Sequence, residues 1–122
     1  MSSRIRLLFV CARNLWRSPT AERIYRNRSD LEVRSRGLRR SARQRLGDSD
    51  LRWADVVFAM ESSHAKQIRR DHSASLGTTP VVVLDIPDEY RFMDSDLVKN
   101  IMHEVDHWLS QSPATKSQAD AT

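Results

Sequence analysis

Three nearly unbroken apolar runs restrict what this chain can fold into more than any other feature. "IRLLFV" (residues 5–10), "DVVFAM" (55–60) and "PVVVLD" (80–85) are each the length of one strand and too short for a core helix. A strand with one wet face alternates polar and apolar residues, and these do not, so cover on both faces is expected. "LEVRS" (31–35) supplies a fourth strand. Between the strands lie helical stretches: "PTAERIYRNR" (19–28), a short piece near Leu46–Trp53, "ESSHAKQIRRDH" (61–72) and residues 95–110. In the last, Leu97, Ile101, Val105, Trp108 and Leu109 make one apolar stripe. Strands alternating with helices imply an α/β fold: a three-layer domain whose four-stranded parallel sheet is flanked by helices.

At 122 residues the chain suits one domain, placed at residues 1–110. The remainder, "QSPATKSQADAT" (111–122), is polar and aperiodic and is expected to be a mobile tail. No run of about 18 apolar residues is present, so no membrane association is expected. "MSSRIRLLFV" lacks the apolar length and small-residue cleavage site of a secretory signal, which points to the cytoplasm. Charge is unevenly spread. Residues 1–52 hold 14 arginines against five acids, whereas residues 53–122 hold six basic residues against 11 acidic ones. The basic half shows no nucleic-acid motif and no interleaved aromatics, so a specific nucleic-acid partner is not expected. A positive field that attracts a phosphorylated substrate accounts for the same bias.

The sole cysteine, Cys11, directly follows the first strand, and Arg17 stands six positions on at the start of a helix. In a parallel α/β sheet, ligands bind beyond the carboxyl ends of strands, where loops enter helices. Ser18 is suited to cap that helix and Pro19 to its first position. The unpaired amides and positive dipole end would then face the loop and favour a thiolate, the nucleophilic form of cysteine. The backbone of Ala12, Arg13, Asn14, Leu15, Trp16 and Arg17 can curl around a phosphoryl group, with the Arg17 guanidinium offering two parallel donors to its oxygens. Against this stands a plainer reading, in which Cys11 is a small buried hydrophobe and Arg17 a solvated arginine. Arg13 is expected on the rim. Trp16 either walls the pocket or packs inside.

The segment "VCARNLWRSP" resembles the low-molecular-weight protein tyrosine phosphatases, whose signature is V-C-x-G-N-x-C-R-S-P. Cys11, Asn14, Arg17, Ser18 and Pro19 match, while Arg13 and Trp16 replace the usual glycine and second cysteine. "ADVVFAME" followed by His64, "VRSRG" and "VVVLDIPDEYRFMD" resemble further family segments, so that the likeness extends over about residues 5–108. It implies a phosphatase acting on phosphotyrosine-like aryl monoesters, on a protein or a small molecule, without a cofactor. Cys11 would attack phosphorus and form a phosphocysteine, which water hydrolyses. Arg17 and the loop amides would stabilise the equatorial oxygens, Ser18 the departing sulfur, and Asn14 the shape of the loop. In "DIPDEY", Asp88 aligns with the general acid and Tyr90 with the aromatic flanking the substrate ring; Glu89 stands in place of a proline, and Asp85 is the competing acid.

Two other classes compete with an aryl phosphatase. A non-catalytic phosphate-binding module is suggested by the altered positions 13 and 16, and an arsenate reductase on the same fold would need an external thiol to complete its cycle. "HEVDH" (103–107) matches a zinc-protease pattern, but His103 lies about 200° around the helix from Ile101 and no third ligand follows, so no metal site is expected. Both histidines read as surface residues.

Overall fold

The computed structural model describes residues 4 to 111. Its strands β1 (Ile5–Cys11), β2 (Leu31–Gly37), β3 (Val56–Ala59) and β4 (Val81–Val83) form one sheet in the order β2-β1-β3-β4, with every pairing parallel. The central strands are the apolar ones. β3 is buried throughout, and β1 at every position except Arg6.

Helices α1 (Arg17–Tyr25), α2 (Asp48–Trp53), α3 (Ser62–Asp71), α4 (Ser73–Leu76) and α5 (Ser95–Gln111) cover both faces. Successive side chains of a strand point to opposite sides, so one continuous apolar run feeds two cores. Leu7, Phe9 and Cys11 of β1 join Phe58 of β3, Ala21 and Tyr25 of α1, and the Leu97, Ile101, Val105 and Leu109 stripe of α5. Leu8 and Val10 point the other way and meet Val57, Leu51 of α2, Ile68 of α3 and Leu76 of α4. In the first core Phe9 stacks between Tyr25 and Phe58, at 6.0 and 5.3 Å between ring centroids. Trp108 meets Phe58 edge-on at 5.4 Å. Each such pair contributes about 0.5–1.5 kcal/mol beyond its buried area.

Element boundaries depart from the sequence expectations in instructive ways. α1 begins at Arg17, two residues before Pro19, and ends at Tyr25 rather than residue 28. Ser18 is therefore not its cap. Trp16 holds that position without a side-chain cap, and its carbonyl accepts from Thr20 N–H at 3.0 Å and the Thr20 hydroxyl at 2.6 Å. β4 stops at Val83, because Asp85 adopts a left-handed conformation (φ 59) that breaks the extended backbone. The one-turn helix α4 was not expected, and β2 runs two residues longer than "LEVRS". The tail beyond Gln111 lies outside the described residues.

The topology also fixes where a site can form. β1 leads into α1 on one face of the sheet and its neighbour β3 leads into α3 on the other. The two connections diverge, opening a crevice above the carboxyl ends of these strands.

Candidate active site

Residues 12–16 bridge β1 and α1 at that crevice. Their carbonyls are tied outward to the segment after β2. Leu38 N–H donates to Cys11 O (3.0 Å), Arg39 N–H to Ala12 O (2.9 Å), Arg43 N–H to Arg13 O (3.0 Å) and Arg43 Nε to Asn14 O (3.0 Å). In a planar trans peptide the N–H points opposite to the C=O, so the amides of residues 13, 14 and 15 are turned inward. Asn14 N–H does so visibly, donating to Cys11 Sγ at 3.3 Å, and the turn requires Asn14 at φ 57. The outer brace depends on Gly37. A Cβ there would lie 2.5 Å from Ala42 Cβ and 2.9 Å from both Ala12 O and the Arg13 carbonyl carbon.

Beneath the loop a directed chain of hydrogen bonds ends on the sulfur. The Glu22 carboxylate accepts from the Ser35 hydroxyl at 2.5 Å. Ser35 Oγ must then act as acceptor toward Asn14 Nδ2 (2.9 Å), and the second Nδ2 proton goes to Ser18 Oγ (2.9 Å). Ser18 is left with its own proton, for which Cys11 Sγ at 2.9 Å is the nearer acceptor and the Arg36 carbonyl at 3.4 Å the more distant one. A thiolate is thus offered both the Ser18 hydroxyl and the Asn14 amide. Asn14 and Ser18 are fully buried and Cys11 nearly so, which strengthens each of these contacts.

Arg17 is oriented just as firmly. Its Nη1 donates to Glu61 Oε2 and to Ile86 O (2.9 Å), the first residue lying two positions after β3 and the second on the loop after β4. Only 3% of Arg17 is exposed. With Nη1 anchored, the edge of the guanidinium turned to the pocket is the Nε–Nη2 pair, which matches two oxygens of a phosphoryl group. Asp88 Oδ1 stands 3.6 Å from Nε at the mouth. The hydrogen bond from Arg17 holds the Glu61 carboxyl below the usual range. His64 Nε2 lies 3.8 Å from the same carboxylate, and burial pushes this imidazole below the ordinary histidine value although Glu61 opposes the shift.

The pocket above Cys11 is lined by Ala12, Arg13, Leu15, Trp16, Arg17 and Asp88. No protein-family model matches the chain, and no curated protein matches it in sequence. Solved structures do match. The tyrosine phosphatase Wzb from Escherichia coli K30 aligns with TM-score 0.69 at 21% identity, over 87% of this chain and 96% of that one. SP-PTP, a low molecular weight protein tyrosine phosphatase from Streptococcus pyogenes, gives 0.75 at 15% identity over 94% and 97%. YwlE arginine phosphatase from Geobacillus stearothermophilus gives 0.66 at 21% identity over 95% and 94%. This chain has the low-molecular-weight protein tyrosine phosphatase fold.

Within this phosphatase fold the sequence-nominated residues converge unevenly. Cys11, Asn14, Arg17 and Ser18 form one buried cluster. Arg13 lies exposed on the rim, and Trp16, 41% exposed, walls the pocket rather than packing inside. Of the two candidate acids, Asp88 lines the pocket and Asp85 does not. Tyr90 is half-buried, packs against the first core and accepts from Asn100 Nδ2 at 3.2 Å; it is not part of the pocket wall. His103 and His107 are both exposed. Sequence reasoning missed Glu22 and Glu61. Residues 18 and 22 are four apart on α1, a spacing that could have flagged Glu22; Glu61 is the charged residue two positions past a central strand, beside the crevice.

Proposed function

We propose that this protein hydrolyses aryl phosphate monoesters of the phosphotyrosine type through a phosphocysteine intermediate. The observation that carries the reading is the sulfur of Cys11, held by the Ser18 hydroxyl and the Asn14 amide below a loop of inward-turned N–H groups. In the first step Cys11 Sγ forms a bond to phosphorus as the bond to the leaving aryl oxygen breaks. Asp88, on the pocket mouth, gives that oxygen its proton. The Nε–Nη2 edge of Arg17 and the loop amides hold the equatorial oxygens, where charge is spread in the transition state. In the second step water attacks phosphorus, Asp88 takes its proton, and the leaving thiolate returns to the Ser18 hydroxyl.

The exposed side chains of Leu15 and Trp16 give the pocket an apolar wall suited to an aromatic ring. Because an arginine phosphatase shares the fold, phosphoarginine belongs in the same assay as phosphotyrosine. The decisive experiment combines turnover of para-nitrophenyl phosphate with acid quenching of a radiolabelled substrate. Turnover, label bound to the protein and loss of both in Cys11→Ser are expected. Phosphate binding without turnover would instead identify a non-catalytic phosphate-binding module.

A further inference from the structure

Beside the phosphate loop, on the outer flank of α1, lies a second cleft of about 190 Å³ lined by Pro19, Glu22, Arg23, Arg26, Arg43 and Phe92. Arg23 and Arg26 are exposed, and neither guanidinium has an ion-pair partner among the described residues. Glu22, the single acid in the wall, is engaged by Ser35. Arg43 connects the cleft to the catalytic loop, since its Nε donates to Asn14 O at 3.0 Å. Phe92 is 47% exposed, and the next residue is held against the start of α1 by Met93 N–H donating to Thr20 Oγ1 at 2.9 Å. The cleft shares no lining residue with the candidate active-site pocket but lies against the outer side of the same loop, carries an excess of positive charge and has an aromatic side.

We infer that this cleft binds the acidic segment flanking the phosphorylated residue of a protein substrate. The inference rests on the proposed phosphatase reading and extends it to a substrate class: phosphoproteins with carboxylates near the phosphorylated residue. The spacing follows from α1. Arg23 and Arg26 lie six and nine positions beyond Arg17, about 9 and 14 Å along the helix axis at about 1.5 Å per residue, and about 120° and 180° around a helix about 10 Å wide. An extended peptide advances about 3.3–3.6 Å per residue, so over this path of about 13–17 Å carboxylates about four to five positions from the phosphorylated residue would meet these guanidiniums. Charge complementarity favours such a segment, and the apolar faces of Phe92 and Pro19 suit the stems of its side chains. A lone inorganic anion would leave most of the cleft unfilled.

The test separates binding from turnover. Fluorescein-labelled phosphotyrosine peptides, one set with glutamates four and five positions to either side and one set with alanines there, are titrated against Cys11→Ser by anisotropy. The glutamate peptide is expected to bind about five- to tenfold more tightly at low salt, with the difference shrinking as salt rises. Arg23→Glu/Arg26→Glu in the same background should abolish the preference. On the Cys11 protein this double substitution should leave para-nitrophenyl phosphate turnover unchanged, because neither arginine touches the reacting atoms. Equal affinity for the two peptides, a preference that survives the double substitution, or equally effective competition by a single-stranded oligonucleotide would each overturn the inference. Absence of para-nitrophenyl phosphate turnover in the parent would overturn the phosphatase reading instead, while the binding titration would still decide the role of the cleft.

Discussion

Replacing Gly37 with alanine tests whether the outer brace sets the geometry of the phosphate loop. The backbone at Gly37 has an ordinary negative φ, so the constraint is space; among the described glycines only Gly77 has a positive φ (55°). The added methyl would sit 2.5 Å from Ala42 Cβ and 2.9 Å from Ala12 O and the Arg13 carbonyl carbon. Carbon contacts are comfortable at about 3.5–4 Å, so Ala42 must retreat by about 1 Å and the Ala12–Arg13 peptide by at least about 0.5 Å. Overpacking of this kind costs about 1–3 kcal/mol of stability. A displacement of about 1 Å at reacting groups costs about 100-fold in rate, so half of that is expected to lower kcat/KM about tenfold or more. Urea unfolding and para-nitrophenyl phosphate turnover measure the two effects. Gly37→Ala/Ala42→Gly removes the closest clash but leaves the contacts with Ala12 and Arg13, so it should regain part of the stability and little of the activity. A Gly37→Ala protein with parental rate and stability would refute the argument, as would full recovery of rate in the double variant.

Other outcomes follow from the same geometry. Arg17→Lys keeps the charge but loses the planar fork that is anchored through one nitrogen while presenting two, so turnover should fall by at least ~100-fold, with weaker inhibition by vanadate; near-parental turnover would remove Arg17 from the mechanism. Asp88→Asn should slow phosphocysteine formation from phenyl phosphate more than from para-nitrophenyl phosphate, because the more basic leaving group needs the proton more. Asp85→Asn should leave that ratio unchanged, and the reverse pattern would transfer the acid role to Asp85. His64 has its pKa pushed below the ordinary 6.5 by burial, so the folded state binds fewer protons than the unfolded state. The resulting stability is complete above about pH 6.5 and is lost as pH falls through the lower folded value. The urea midpoint should therefore drop as pH falls below about 6.5 in the parent and drop less in His64→Gln, and identical slopes would show that His64 does not carry the acid sensitivity.

The order and character of the main elements were legible in the sequence because burial on two faces leaves no polar alternation, and "LLFV" and "VVFA" can satisfy that environment only at the centre of a parallel sheet. The cysteine, arginine and serine of the loop were legible for a related reason. Residues six or seven positions apart across a strand-to-helix turn are brought together by local chain geometry. The misleading signal was also local: helix caps favour serine, yet the Ser18 hydroxyl is engaged by Cys11 and Asn14. Tertiary structure alone decided the rest. Arg17 meets Glu61 and Ile86 across 44 and 69 residues, Asn14 meets Ser35 across 21, and Gly37 abuts the Ala12–Arg13 peptide. Contacts of that range depend on which strands become neighbours. The order β2-β1-β3-β4 brings the ends of β2, β3 and β4 around the loop that follows β1, and no local pattern within the chain encodes that arrangement.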